Sequence, residues 1–94
     1  MEKNSTNPVN GATDPSMIEV RFYGPLVERT GVARVEISPD RCGDLDGLRA
    51  YLRTRFPELE AAQFAVAVDE EIRHGNLSLG AGRVVALLPP FSGG

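Results

Sequence analysis

The last apolar segment of the chain reads Val84-Val85-Ala86-Leu87-Leu88, and all five of its residues are apolar. Five residues suit a strand better than a helix. A strand that is apolar on both sides is either covered on both faces or has a second face that awaits a partner. We therefore predict a strand here, which is either central in the sheet with both faces covered or has one face left for a partner. Pro89-Pro90 ends it, because proline has no N–H group to donate to a strand ladder.

Two strands are predicted upstream, at the start of the folded region. Residues 18–23 alternate apolar and polar side chains, which is the period of a half-buried strand, until Gly24-Pro25 ends the pattern. A similar alternation covers Val32 to Ile37 and ends before a Ser-Pro-Asp turn. Two strands in close succession indicate an antiparallel hairpin.

One helix is predicted between residues 44 and 56. Asp44 is a good N-cap, and Pro57 ends the helix because the residue before a proline is disfavoured in helical geometry. The apolar positions follow one another at helical spacings of three and four: Leu45, Leu48, Leu52 and Phe56. This stripe is typical of a helix that packs on a core.

The rest of the domain contains further segments with strand character. Phe64 to Val68 is an apolar run, Asp69-Glu70-Glu71 forms a polar turn, and Ile72 begins a return segment. The predicted order is strand, strand, helix, strand, a weaker strand and strand. Since one helix covers only one face of a sheet, we predict an α+β roll, with a mixed sheet of four to five strands packed on one central helix. Half of the last strand's side chains would then face solvent or a second protein.

Composition and charge restrict the class of protein. The chain carries 10 Lys and Arg against 13 Asp and Glu, a formal net charge of −3, which argues against a general nucleic-acid binder. Its longest apolar run is far shorter than the roughly 20 residues that span a bilayer, and no secretory signal is visible. The single cysteine cannot form an internal disulfide. We expect a small cytoplasmic protein without a membrane segment.

The domain boundary is predicted between Ser16 and Met17. Residues 1–16 are rich in Asn, Ser, Thr, Pro and Gly, and they hold too few apolar side chains to offset the entropy of ordering. We expect a disordered N-terminal extension over 1–16, a folded domain over 17–94 and a flexible C-terminal tail over 89–94. A domain of this size has little room for an enclosed active site.

The residues that could form an active site or a metal site lack the additional residues that such a site needs. His74 and Cys42 are each the only residue of their kind, so we expect a surface histidine and an inert thiol. Asp69-Glu70-Glu71 cannot converge on a metal ion without further ligands. Gly80-Ala81-Gly82 precedes a strand rather than a helix, so it does not form a phosphate loop. We predict no metal site and no self-sufficient active site.

The C-terminal segment is the part of the sequence with a functional pattern. Pro89-Pro90 favours a stiff, extended exit from the domain, and Phe91 adds an aromatic anchor. Gly93 and Gly94 carry no side chains and would pass through a narrow channel. This order of parts would present a terminal carboxylate for chemistry that takes place in another protein.

Two motifs and the central helix carry a family resemblance that covers Met17 to Gly94. The motifs are the ending Leu88-Pro89-Pro90-Phe91-Ser92-Gly93-Gly94 and the opening Met17-Ile18-Glu19-Val20-Arg21-Phe22-Tyr23. Together they resemble the small subunits of molybdopterin synthase, a family of ubiquitin-like β-grasp sulfur carriers. A terminal diglycine marks the wider superfamily, which includes ubiquitin and the thiamine-pathway carrier, whereas the Pro-Pro-hydrophobic-Ser-Gly-Gly form is more specific to the molybdopterin branch.

The resemblance implies a function in molybdenum cofactor biosynthesis. An ATP-dependent activating enzyme would adenylate the Gly94 carboxylate, and a sulfurtransferase would convert the acyl-adenylate into a thiocarboxylate. Inserted into the large synthase subunit, in an expected heterotetramer, this group would transfer sulfur to cyclic pyranopterin monophosphate. The small subunit would bind no permanent cofactor, and the acid–base residues would belong to the large subunit.

A docking surface for this partner follows from the predicted strand faces and the family pattern. We expect an apolar contact surface formed by Tyr23, Ile72, Leu88 and Phe91. Pro89 and Pro90 would extend the contact along the tail, and Ser92 and Gly93 would thread into the partner's cavity ahead of Gly94.

Two other interpretations remain open. The whole superfamily shares the diglycine, so the chain could serve thiamine, cysteine or tRNA thiolation, or act as a ubiquitin-like protein modifier. A different class is a small interaction domain without covalent chemistry, whose glycines are only a frayed end. Appending one residue to Gly94 separates these classes, because only a carrier depends on the position of its terminal carboxylate.

Overall fold

The computed structural model describes residues 14–90 of the chain. Its strands and helices are β1 (Ile18–Phe22), α1 (Pro25–Thr30), β2 (Arg34–Ile37), α2 (Leu45–Arg55), a 3₁₀ helix (Pro57–Ala61), β3 (Ala65–Val68), β4 (Glu71–Arg73) and β5 (Val84–Leu88). The strands form one five-stranded mixed sheet, and the buried side chains of α2 join those of the sheet in a single core. This is the predicted α+β roll.

The last strand lies at the centre of the sheet. The strand order is β2-β1-β5-β3-β4, and β5 runs parallel to β1 and antiparallel to β3. Burial alternates along β5: Val85 and Leu87 are buried, whereas Val84, Ala86 and Leu88 are half-buried on the opposite face. A strand that is apolar throughout therefore gives one face to the core and the other to the surface.

α2 begins at the predicted N-cap and covers the inner face of the sheet. The Asp44 carboxylate accepts a hydrogen bond from the backbone N–H of Gly47 (2.7 Å), and the helix ends before Pro57. All four residues of the predicted stripe are buried in the core. At its end, Phe56 meets Phe22 edge to face, with ring centroids 5.4 Å apart. The helix prediction is confirmed.

The expectation of a single helix is wrong for the described part of the chain. α1 has six residues, with Pro25 in its first turn and Gly31 ending it in the left-handed conformation (φ 80°). Only Leu26 of α1 is buried, so the segment is too short and its apolar pattern too sparse to show helical periodicity. α1 joins β1 and β2, which pair antiparallel as predicted, and the 3₁₀ helix follows α2.

The described chain begins with a turn before β1. The Asp14 carboxylate accepts hydrogen bonds from the N–H (2.9 Å) and hydroxyl (2.7 Å) of Ser16, and the Met17 N–H donates to the Asp14 carbonyl (2.9 Å). Residues 1–13 lie outside the described residues, so the N-terminal extension and its boundary stay predictions. No helix in the described part of the chain is long and apolar enough to cross a membrane.

The hairpin between β3 and β4 turns at Asp69 and Glu70. Both residues have positive φ (50° and 73°), the pattern of a two-residue turn of type I′, which glycine and asparagine favour. The Asp69 carboxylate accepts hydrogen bonds from the N–H of Val84 (3.1 Å) and the guanidinium of Arg83 (2.5 Å), and both lower the pKa of Asp69. The polar segment forms the predicted hairpin turn.

The substitution Glu70→Gly should stabilise the protein. A side chain in the left-handed region costs about 1–2 kcal/mol, whereas glycine adopts it freely at an entropic cost of about 0.5–1 kcal/mol. We expect the free energy of unfolding, measured by urea denaturation, to rise by roughly 0.5–1 kcal/mol. The matched control is Glu71→Gly in β4, which should lower the free energy of unfolding. Equal effects of the two variants would contradict the assigned turn.

Candidate functional site

The C-terminal segment leaves the domain from the centre of the sheet. The N–H of Tyr23 donates to the carbonyl of Leu87 (3.2 Å), which continues the β1–β5 pairing to the end of β5. The next three residues, Leu88-Pro89-Pro90, are here called the tail root. The remaining predicted residues of the tail lie outside the described residues, and their anchoring, threading and reactive roles stay predictions: Phe91, Ser92, Gly93 and Gly94.

Gly24 leaves room for the tail root where it leaves the sheet. Its backbone angles (φ 59°, ψ −138°) are accessible to glycine but strained for other residues. A Cβ atom at this position would lie 3.1 Å from Cγ of Pro89, closer than ordinary van der Waals contact. The Gly24-Pro25 pair, which the sequence analysis treated only as the end of a strand, therefore also seats Pro89.

Three predicted docking residues lie on the outer face of the sheet, which is turned away from α2. Among the described residues, Tyr23 and Ile72 are the large apolar side chains that are exposed, at 42% and 44%, and Leu88 is half-buried. Small side chains of β3 and β5 join them into one surface. We call this surface the apolar face and define it as Tyr23, Ala65, Ala67, Ile72, Ala86 and Leu88. Exposed large apolar side chains such as Tyr23 and Ile72, on a sheet face that no helix covers, are typical of a protein interaction site.

A charged cluster on β1 and β2 borders the apolar face. Glu19 points to the outer face but is only 3% exposed, because two guanidinium groups cover its carboxylate. Nε of Arg21 donates to this carboxylate, and Nε of Arg34 lies 3.2 Å from it. Arg34 also pairs with Glu36 (2.9 Å). The sequence analysis missed this cluster. The alternation of Glu and Arg was visible, but bringing the four residues together requires the register of β1 against β2.

A groove of about 280 Å³ lies next to the tail root. It lies between α1, the 3₁₀ helix and the tail root, and six residues that line it are Leu26, Arg29, Ala61, Ala62, Pro89 and Pro90. The sequence analysis missed the groove because neither of the two short helices that form its walls was predicted.

Cys42 and His74 occupy the positions expected of residues without a chemical role. Cys42 is buried, and this burial, together with the charge of Asp44, raises the pKa of its thiol, which disfavours the reactive thiolate. His74 is exposed. Across residues 14–90, no three His, Cys, Asp or Glu side chains are grouped as metal ligands.

Comparison with known proteins shows where this fold recurs. The putative molybdopterin converting factor subunit 1 from Pyrococcus furiosus matches with a TM-score of 0.73 at 18% identity, over 80% of this chain and 98% of that one. SAMP1 from Haloferax volcanii matches with a TM-score of 0.71 at 24% identity, over 83% of this chain and 99% of that one. A chain in the complex of subunits 1 and 2 of the molybdopterin-converting factor from Helicobacter pylori matches at 33% identity, with a TM-score of 0.64. The match covers 83% of this chain and 99% of that one. No curated protein sequence matches this chain.

These similarities show that the chain has the ubiquitin-like β-grasp fold. The model of the ThiS family matches residues 20–94, and the chain therefore belongs to the ThiS family. The predicted fold class and the resemblance to β-grasp sulfur carriers are confirmed.

The substitution Gly24→Ala should both destabilise the domain and displace the tail root. We expect a loss of about 1–3 kcal/mol from the strained backbone, with further loss from the contact with Pro89. Gly31→Ala is the matched control, because Gly31 also has positive φ but a Cβ there would meet nothing within 4 Å. Amide chemical shifts of Leu88 should change in Gly24→Ala and not in Gly31→Ala. Unchanged Leu88 shifts in both variants would show that Gly24 does not seat the tail root.

Proposed function

We propose that the protein is the small, sulfur-carrying subunit of a molybdopterin synthase. The observation that carries this proposal is the position of the tail root, which begins the Leu88–Gly94 motif at the end of the central strand, at the border of the exposed apolar face. The 33% identity to the Helicobacter pylori complex adds support, since that structure pairs subunits 1 and 2 of the molybdopterin-converting factor.

The reactive group in this function is the carboxylate of Gly94. It attacks the α-phosphorus of ATP on an activating enzyme, pyrophosphate leaves, and the acyl-adenylate gains a good leaving group in AMP. A sulfurtransferase then supplies sulfur at the oxidation level of sulfide, which attacks the acyl carbon and displaces AMP, and leaves a thiocarboxylate, an anionic and soft nucleophile. This group donates its sulfur to cyclic pyranopterin monophosphate in the active site of the large subunit. ATP is a substrate of the activating enzyme, and this chain binds no permanent cofactor.

The geometry of the tail suits delivery into a cavity of another protein. Six residues, 89–94, span at most about 20 Å when extended, and the two prolines limit the conformations of the first part. Because the hydrogen bond from Tyr23 holds the end of β5 and Pro89 lies close to Gly24, the tail starts from a defined point beside the apolar face. A partner that covers this face would receive the tail in one direction.

The partner should dock on the apolar face. Tyr23, Ile72 and Leu88 supply its largest side chains, and Phe91 would continue the contact along the tail. A heterotetramer with two large subunits, an ATP-dependent activating enzyme and a sulfurtransferase complete the proposed set of partners. The large subunit supplies the acid–base residues, so this chain acts as the sulfur donor of the complex and not as its catalyst.

The similarity to SAMP1, a small archaeal modifier protein, favours one alternative: a ubiquitin-like modifier that is conjugated to other proteins. Sulfur carriers of thiamine, cysteine or tRNA thiolation pathways would use the same tail chemistry. An interaction domain without covalent chemistry would use the apolar face alone.

The first test measures the chemistry of Gly94. Intact-mass analysis of the protein from its own host should find a fraction with one terminal oxygen replaced by sulfur. One residue appended after Gly94 should abolish sulfur transfer, because the reactive carboxylate moves out of register with both active sites. The matched control carries one extra residue before Met1 and should retain transfer. Full transfer by the extended tail would contradict the carrier function, and conjugates to other proteins would favour the modifier.

The second test measures docking. Ile72→Glu and Leu88→Glu place a charge in the apolar face, and each should weaken binding to the large subunit about 30-fold or more, or roughly 2 kcal/mol, in isothermal titration calorimetry. Thr54→Glu adds the same charge on the exposed side of α2 and should bind like the unmodified protein. If both face variants bind as tightly as Thr54→Glu, the large subunit docks elsewhere.

A further inference from the structure

Arg21 lies where the charged cluster of Glu19, Arg21, Arg34 and Glu36 meets the apolar face. It pairs with Arg34 across β1 and β2, and with Ala86 of the apolar face across β1 and β5. Neighbouring strands lie about 4.8 Å apart, and the side chain of Arg21 is 46% exposed. A partner that covers Ala86 therefore also excludes water from the guanidinium of Arg21.

The two arginines of the cluster share Glu19 but differ in their second contact. Nε of each guanidinium lies against the Glu19 carboxylate. The Nη2 group of Arg34 also donates to Glu36 (2.9 Å), so this guanidinium holds one carboxylate on each of two edges. Arg21 has no second carboxylate among residues 14–90. Arg34 thus shows a complete arrangement of which Arg21 has only the first half.

The hydroxyl of Tyr23 is the other side-chain contact of Arg21. Hydrogen bonding, first to Glu19 and then to Tyr23, raises the pKa of Arg21. A guanidinium carries more N–H donors than a single carboxylate contact and a single hydroxyl use, and the hydroxyl brings no charge. Arg21 therefore keeps charged N–H groups that water satisfies while the apolar face is exposed.

Docking on the apolar face removes this water, so the partner has to supply an acceptor. A charged donor that loses its water without gaining an acceptor costs more than a neutral one, and an apolar side chain opposite Arg21 would leave it in that state. A carboxylate matches the planar edge of a guanidinium with both oxygens and forms charge-assisted hydrogen bonds. It is the group that Arg34 already holds on the corresponding edge.

The surroundings of Arg21 restrict the side from which a carboxylate can approach. A cavity of about 290 Å³ adjoins Arg21 on the side of Val84, and Asp69 and Glu70 also line it. Two carboxylates at this cavity repel a further anion. In the other direction along β1 lie Tyr23 and the apolar face, where no acidic side chain intervenes among the residues that define it. The approach from the apolar face is therefore the favourable one.

We propose that Arg21 determines which partners the apolar face accepts: a partner that docks there places a carboxylate against the guanidinium edge that no carboxylate among residues 14–90 occupies. The partner's contact surface then combines apolar side chains, opposite the apolar face, with an Asp or Glu opposite Arg21. The proposal rests on the proposed function in taking the large subunit as the docking partner, and it adds the chemistry of that subunit's contact surface.

The substitution Arg21→Leu tests the proposal because the two possibilities predict opposite signs. If the partner supplies a carboxylate, the variant leaves that carboxylate without a counterion. Binding of the full-length chain to the large subunit should then weaken about 30-fold or more in isothermal titration calorimetry. If the partner is apolar at this position, the new leucine enlarges the apolar face and binding should tighten. Unchanged or tighter binding would overturn the proposal.

Two further variants control for the lost charge and for a loss of folding. Arg41→Leu removes the same charge in the loop between β2 and α2 and should bind like the unmodified protein. Glu19→Gln combined with Arg21→Leu removes both members of the buried pair while Arg34 keeps Glu36, so it tests the same contact if the single variant unfolds. This double variant should also bind weakly, and binding at the unmodified level would contradict the proposal.

Salt dependence gives a readout that a loss of packing would not change. Added sodium chloride should weaken binding of the unmodified protein more than binding of Arg21→Leu, because salt screens the pair between Arg21 and the partner's carboxylate. Equal salt dependence of the two proteins would show that Arg21 has no charged partner in the complex.

The Ile72→Glu variant separates this proposal from the proposed docking site. If Ile72→Glu weakens binding and Arg21→Leu does not, the large subunit docks on the apolar face and the proposed carboxylate is wrong. If Arg21→Leu weakens binding and Ile72→Glu does not, the carboxylate stands and the docking site assigned to the large subunit is wrong.

Discussion

The pairing of β5 between β1 and β3 is the interaction on which the rest of the structure depends. β5 is the last strand in the chain, yet it lies at the centre of the sheet, where Val85 and Leu87 enter the core. The chain end therefore leaves from the middle of the domain and not from its periphery. The same pairing brings the end of β1, with Tyr23 and Gly24, next to the tail root. If β5 were an edge strand, its second face would not continue into an apolar surface on both sides.

The outer face of the sheet combines a flat apolar surface with a neutralised charged border. α2 covers only the inner face, so the small side chains of Ala65 and Ala86 lie between the larger ones of the apolar face. Nearby, an unpaired buried carboxylate at Glu19 would cost several kcal/mol, and the guanidinium groups of Arg21 and Arg34 remove this penalty. A partner that excludes water from the apolar face therefore contacts a border in which the buried carboxylate of Glu19 is already paired. Docking then adds no unpaired charge to the interface.

Features encoded by local patterns were predictable from the sequence, and features that depend on distant contacts were not. The apolar run of β5 predicted a strand, with a central position as one of two alternatives, and Asp44 and Pro57 predicted both ends of α2. The left-handed turn at Glu70 has no glycine to signal its backbone conformation, although its polarity indicated a turn. The approach of Gly24 to Pro89 joins residues 65 positions apart and leaves no local signal. The groove depends on α1, whose six residues are too few to show a helical period.

A carrier that serves several enzymes in turn needs contacts that can be exchanged, and the described surfaces fit that need. In the proposed function the same tail must enter an activating enzyme and then a synthase subunit, and one apolar face cannot hold both at once. Tight binding to either would slow the exchange, since differences in affinity act mainly through the dissociation rate.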